Sequence, residues 1–235
     1  MTEKERMKSD FTYGAKDGLP IALGYAAVSF SFGMTASAAG IPVWASVALS
    51  MLNMTSAGQF SAITLMSAAA SLGEIAAATF VINIRYLLMS LVLSQKLKRM
   101  SAPARMAVAF GVTDEIFTVA STKPYKPDLA YMMGLIAAPY AGWALGTVLG
   151  VAAGSLLGAA ASSALGISLY AMFVAIVLPE ARMQKSVAAA ALAAVALSCL
   201  FRWCSIFSAL SEGWAVIIAS VAEACGAAAL FPRKD

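Results

Sequence analysis

The chain is built of long apolar blocks separated by short polar connections. Eight blocks stand out, at about 18–40, 43–70, 74–95, 106–121, 129–157, 164–179, 186–204 and 214–231. A helix rises 1.5 Å per residue, so crossing ~30 Å of hydrocarbon takes roughly 20 apolar residues. The pattern predicts an all-α polytopic membrane protein. Residues 1–17 form a cytoplasmic N-terminal segment, 18–231 a single transmembrane domain and 232–235 a C-terminal tail. The apolar run from Leu19 lies too far into the chain, and is too long, for a cleaved signal peptide.

Composition sharpens this picture. Hydrophobic residues make up 61% of the 235 and charged residues only 12%, about half the usual soluble share, so the blocks cannot be covered by a polar surface. The net charge of +4 sits in short basic runs between the blocks, where membrane topology places it, so it does not point to nucleic acid. There is no His, which removes imidazole catalysis, His-ligated metal and His proton relays. Cys199, Cys204 and Cys225 are scattered through apolar helices and form neither a disulfide framework nor a CxxC metal pattern. An enzyme, a metal site and a cofactor are therefore not expected.

The basic groups constrain orientation. They are Lys4, Arg6, Lys8 and Lys16; Lys96, Lys98, Arg99 and Arg105; Lys123 and Lys126; Arg182 and Lys185; and Arg233 and Lys234. The positive-inside rule wants all five cytoplasmic. Eight full crossings would put the first two on opposite sides. The conflict disappears if the first and fourth blocks are broken or re-entrant, leaving about six full transmembrane helices and two discontinuous segments. Pro20, Gly24 and Gly33 mark the first block as broken, and Gly58 marks a further flexible point in the second. The alternative is that 18–40 simply spans. Two such units suggest an inverted repeat. Gly142, Gly146, Gly150, Gly154 and Gly158 recur every four residues, a stripe for close helix packing or for a partner subunit.

An ionisable group inside the bilayer costs about 2.5–3.5 kcal/mol on insertion scales and needs a reason to be there. Glu74, at a helix start, reads as a cap. Arg85 lies deep in Asn83-Ile84-Arg85-Tyr86 and cannot shed its charge, so it needs a counter-ion or an anionic ligand; both readings stand. Asn83 and Tyr86 share a helix face, whereas Asn83 and Arg85 lie about 200° apart. Asp114 and Glu115 follow Thr113, a fitting N-cap, and point about 100° apart, so one can pair with Arg85 while the other faces a cavity. Desolvation raises a buried carboxyl's pKa, which suits this pair to proton coupling or to holding an ammonium. Gln59, in a small polar run, and Tyr25 are further candidates for contacting a ligand.

As an ordered set, Gly18-x-Pro20, Gly24-Tyr25, Phe32-Gly33, Ala57-Gly58-Gln59-Phe60, Asn83-x-Arg85 and Thr113-Asp114-Glu115 resemble the AzlC family, the large subunits of bacterial branched-chain amino acid exporters. The resemblance implies a multi-pass inner-membrane transporter. It implies efflux of branched-chain or similar small hydrophobic amino acids, driven by the proton gradient or membrane potential, with a small hydrophobic AzlD-type partner. Tyr86 stands where family members often carry His, leaving the carboxylates as proton carriers. Arg85 with Asn83 would take the substrate carboxylate, Asp114 or Glu115 the ammonium or the coupling proton, and Gln59 and Tyr25 would orient the ligand. A passive channel and a scaffold that acts only through its partner are the alternatives, and a homo-oligomer stays open.

Overall fold

The computed structural model describes residues 3–156, 174, 177–179, 181–204, 207 and 210–231. Its helices are α1 (Glu3–Ala38), α2 (Val43–Leu52), α3 (Ser56–Ser67), α4 (Leu72–Lys96), α5 (Ala102–Phe110), α6 (Asp114–Thr122), α7 (Leu129–Leu156), α8 (Lys185–Trp203) and α9 (Glu212–Leu230). No strand occurs among the described residues. Five helical stretches are long and apolar enough to cross a membrane: Asp10–Ala38, Leu72–Lys96, Leu129–Gly154, Lys185–Trp203 and Gly213–Leu230. The crossing expected at 164–179 and the stripe residue Gly158 lie essentially outside the described residues. The chain is an all-α polytopic membrane protein.

The helices group into two compact units, one of residues 1–56 with 83–165 and one of 57–82 with 166–235. The first unit is organised on α1 and α7. The glycine stripe of α7 lies against α1: a Cβ at Gly142, Gly146 or Gly150 would run into the backbone of Ala22, Ala26 or Phe30. The glycines of α1 answer it, with Gly14 against Tyr131, Gly18 against Leu135 and Gly33 against Thr147. Both sets of numbers rise together, so α1 and α7 run parallel. In lipid there is little hydrophobic drive to pair helices, and close backbone approach supplies the dispersion that holds them.

One end of this unit carries three basic groups. Lys123 pairs with Asp17 of α1 at 2.7 Å, and Lys98 with Asp128 at 3.4 Å. The Lys98 amide donates to the Pro127 carbonyl at 3.0 Å, Lys96 reaches the Ser121 carbonyl, and Tyr131 donates to Asp17 at 2.6 Å. The Asp17 hydrogen bond holds the Lys123 ammonium above its usual range. Burial alone would raise the Asp128 carboxyl, but the Tyr131 amide and Lys98 outweigh it and hold it low. Both shifts favour the charged forms, so this clasp does not titrate near neutral pH. The positive-inside rule makes this the cytoplasmic end.

The path of the chain follows. The segment α5–α6 leaves this end after Ser101 and is back at it by Lys123, so it enters and returns. Each of its helices has nine residues, about 13 Å, enough to reach only mid-membrane. Helix α4 ends here at Lys96, antiparallel to α1, and begins at Leu72 about 36 Å away.

The expectation for the fourth block is thus met, and that for the first is corrected. Pro20, Gly24 and Gly33 lie in one unbroken helix, and the second discontinuity falls in the second block, at Asn53–Thr55. Pro20 is only three residues beyond Asp17, near the cytoplasmic end, where water can replace the hydrogen bond it lacks. Gly33 serves close approach to Thr147, and Gly24 faces open space. The break after α2 is satisfied from α7: Tyr140 donates to the Met51 carbonyl at 2.9 Å, and Ser50 and Thr147 share a hydrogen bond of 2.5 Å. Irregular backbone at this depth survives only with such protein partners. Gly58 lies in the first turn of α3, just after this break.

In the second unit, Glu74 at the start of α4 is buried and accepts from the Gly213 amide at 2.9 Å and from the Ser211 hydroxyl. It therefore caps the N-terminus of α9, while Ser71 caps the helix to which Glu74 belongs.

Two measurements check this architecture. Gly150→Val should cost roughly 1–3 kcal/mol or more by overpacking against Phe30, whereas Gly24→Ala should be neutral or stabilising by about 0.5–1 kcal/mol, read as thermal unfolding in detergent. On a cysteine-free background, Val43→Cys should react with an impermeant maleimide from outside, and Ser101→Cys and Lys126→Cys only from the cytoplasm.

Candidate functional site

The two breaks of the chain meet α4. Thr55, at the first break, is hydrogen-bonded to the Tyr86 hydroxyl. Asp114 opens α6 at the second break and pairs with Arg85, whose Nη1 lies 2.8 Å and 2.9 Å from the two carboxylate oxygens. Arg85 Nη2 donates to the Tyr86 hydroxyl at 3.2 Å, and the guanidinium lies 4.9 Å from the centre of that ring. Arg85 is eleven residues before Lys96, about 16 Å from the cytoplasmic end and hence near mid-membrane.

Helix α6 starts here for local reasons. Thr113 is extended (φ −125°, ψ 174°) and its hydroxyl accepts from the Ile116 amide, an N-cap. Asp114 and Glu115 fill the first turn, where negative charge complements the helix dipole. Adjacent residues point different ways, and the two acids divide accordingly. Asp114 takes Arg85; Glu115 takes Tyr25 of α1, whose hydroxyl lies 2.5 Å from Glu115 Oε2 and 2.6 Å from Thr113 Oγ1. The Tyr25 ring is buried and meets Trp143 of α7 edge-on at 5.1 Å.

Burial distinguishes a frame from an open face. Tyr25, Thr113 and Trp143 are buried. The side chains of Arg85 and Asp114 are 48% and 45% exposed, and Glu115 is exposed. Two polar atoms nearby are buried without a hydrogen-bond partner: Asn83 Oδ1, two residues before Arg85, and Trp143 Nε1. Such orphans are rare in folded proteins.

Of the residues expected from sequence, the first unit brings Tyr25, Arg85, Asp114 and Glu115 into one network, with Asn83 on the same helix. Gln59 and Gly58 are buried in the first turn of α3, which belongs to the second unit. Pro20, Gly24 and Gly33 lie along α1. Sequence reading had Thr55 only as part of the small polar run around Gln59 and missed Trp143. A Trp inside a glycine stripe was the available signal for the latter. Among the described residues no group of acids, His and Cys is placed to hold a metal.

The family model described as "AzlC protein" matches residues 20–157. "Inner membrane protein YgaZ" of Escherichia coli (strain K12) is 32% identical over 145 residues, 60% of this chain and 59% of that protein's length. An "Uncharacterized membrane protein" of Archaeoglobus fulgidus is 33% identical over 193 residues, 80% of this chain and 84% of that protein. The chain belongs to the AzlC family. The AzlC match runs from Pro20 in α1 to just past the end of α7, so it holds every member of the network around Arg85. No solved structure matches the chain.

The ion pair and the cap are separable by mutation. Arg85→Gln and Asp114→Asn should each destabilise the chain, and the double variant should recover part of the loss. A thermal double-mutant cycle should give a coupling of about 0.5–3 kcal/mol, as for residues in one network.

Proposed function

We propose that this AzlC-family chain is the large subunit of a secondary transporter that exports branched-chain or similar small hydrophobic amino acids across the bacterial inner membrane. Coupling is to the proton gradient or membrane potential, and a small AzlD-type membrane subunit works with it. The observation that carries this reading is the half-exposed Arg85–Asp114 pair at mid-membrane, where the two breaks of the chain meet α4. A charge left at that depth is costly unless it faces a partner or a wet cavity. Broken helices around a midplane site are the common construction of secondary transporters.

An amino acid is a zwitterion, and an ion pair is its chemical complement. The substrate carboxylate competes with Asp114 for Arg85, and the ammonium takes the Asp114 carboxylate so released. Both charges stay paired throughout, which avoids the penalty of leaving one alone at that depth. Asn83 Oδ1, on the same helix as Arg85, is buried without a hydrogen-bond donor. Glu115, held by Tyr25 rather than by Arg85, is free to carry the coupling proton. Substrate class, direction and partner rest on the resemblance of the ordered motifs to the AzlC exporters, and the inner membrane on the name of the Escherichia coli relative.

Counterflow in proteoliposomes, with leucine, isoleucine, valine and methionine and with or without the small subunit, tests the reading. Uptake should be at least tenfold lower in Arg85→Gln and Asp114→Asn, about 1.4 kcal/mol or more of lost binding or transition-state energy. Wild-type rates in both variants, once they are inserted in the membrane, would overturn it.

A further inference from the structure

Tyr25 makes two short hydrogen bonds, 2.6 Å to Thr113 Oγ1 and 2.5 Å to Glu115 Oε2, but has one hydrogen to give. The state of Glu115 decides where that hydrogen goes. An ionised Glu115 only accepts, so Tyr25 donates to it and Thr113 donates to the Tyr25 oxygen. A protonated Glu115 donates to Tyr25, which turns its hydrogen to Thr113. In both states Thr113 Oγ1 still accepts the Ile116 amide, so the α6 cap is kept. The proton comes from water and returns to it, and no bond between heavy atoms changes. One proton on Glu115 thus reverses both hydrogen bonds of the Tyr25 hydroxyl.

We propose that Glu115, read through Tyr25, is a protonation sensor that couples the re-entrant helix α6 to the α1–α7 pair. It deepens the transporter reading and rests on it only for the use to which the signal is put. The ionisable groups around Glu115 are Tyr25 from α1, Asp114 on its own helix, and Arg85 and Tyr86 from α4. The α7 residue at this place, Trp143, carries no charge. Arg85 is committed to Asp114, which leaves Glu115 without an ion-pair partner among the described residues. The Tyr25 ring stands edge-on to the buried Trp143 at 5.1 Å, and Trp143 Nε1 makes no hydrogen bond. A change in the polarity of the Tyr25 hydroxyl is therefore felt at the Trp143 indole of α7.

That indole is also the reporter. The other tryptophans, Trp44, Trp203 and Trp214, are exposed, and replacing each with Phe leaves Trp143 as the one indole emitter. In the purified full-length chain carrying those three replacements, Trp143 emission should show one sigmoidal transition with pH. Glu115→Gln and Tyr25→Phe should each abolish it, whereas Asp114→Asn should keep it. A missing transition, or one that survives Glu115→Gln, overturns the proposal. If the three-Phe chain does not fold, the same titration is read as the native chain minus its Trp143→Phe variant. Emission needs no transport, so an intact titration in a chain that moves no amino acid would sink the transporter reading alone.

Discussion

The close parallel contact of α1 and α7 is the constraint on which the first unit depends. Gly14, Gly18 and Gly33 on one helix and Gly142, Gly146 and Gly150 on the other let the backbones touch. A single added Cβ at most of these positions would meet main chain, which cannot swing aside as a side chain can. Because the helices are parallel, the chain between them must make a net single crossing back. Helix α4 makes it. That leaves α5–α6 to enter and return on the cytoplasmic side.

The mid-membrane chemistry follows from that path. A segment that turns back at half depth exposes helix ends, and helix ends carry unpaired amides and carbonyls. In water these would be solvated; in hydrocarbon they need protein. Tyr140 and Thr147 of α7 serve the first break, and Thr113 and the two acids serve the second. Once Asp114 is at that depth, Arg85 of α4 is its natural partner. The caps of the fold and the candidate site are thus the same residues.

The two acids show how neighbouring side chains come to different duties. Asp114, at the α6 start, reaches across to α4. Glu115, about 100° further round, reaches α1. One is tied into an ion pair with two strong charges, the other into a chain of hydroxyls. A zwitterionic ligand has business with the first arrangement and a proton with the second.

Much of this was legible in the sequence. Block lengths and the few charges inside them determined an all-α membrane protein, and the four-residue glycine spacing determined a close helix contact, because hydrocarbon thickness and helix pitch leave little choice. Basic loops fixed at Lys96–Arg105 and Lys123–Lys126 showed that 106–121 returns to its own side. The other break was misplaced: glycine and proline mark it only weakly, since in α1 the same residues serve packing and a helix end near water. Pairing was beyond reach as well. Arg85 and Asp114 lie 29 positions apart and Tyr25 and Glu115 90, and a helix face has no meaning until its neighbours are placed. Only the tertiary structure decides which carboxylate meets the guanidinium, because that choice is made by the rotation of α6 against α1 and α4, a quantity set by packing and not by any local pattern.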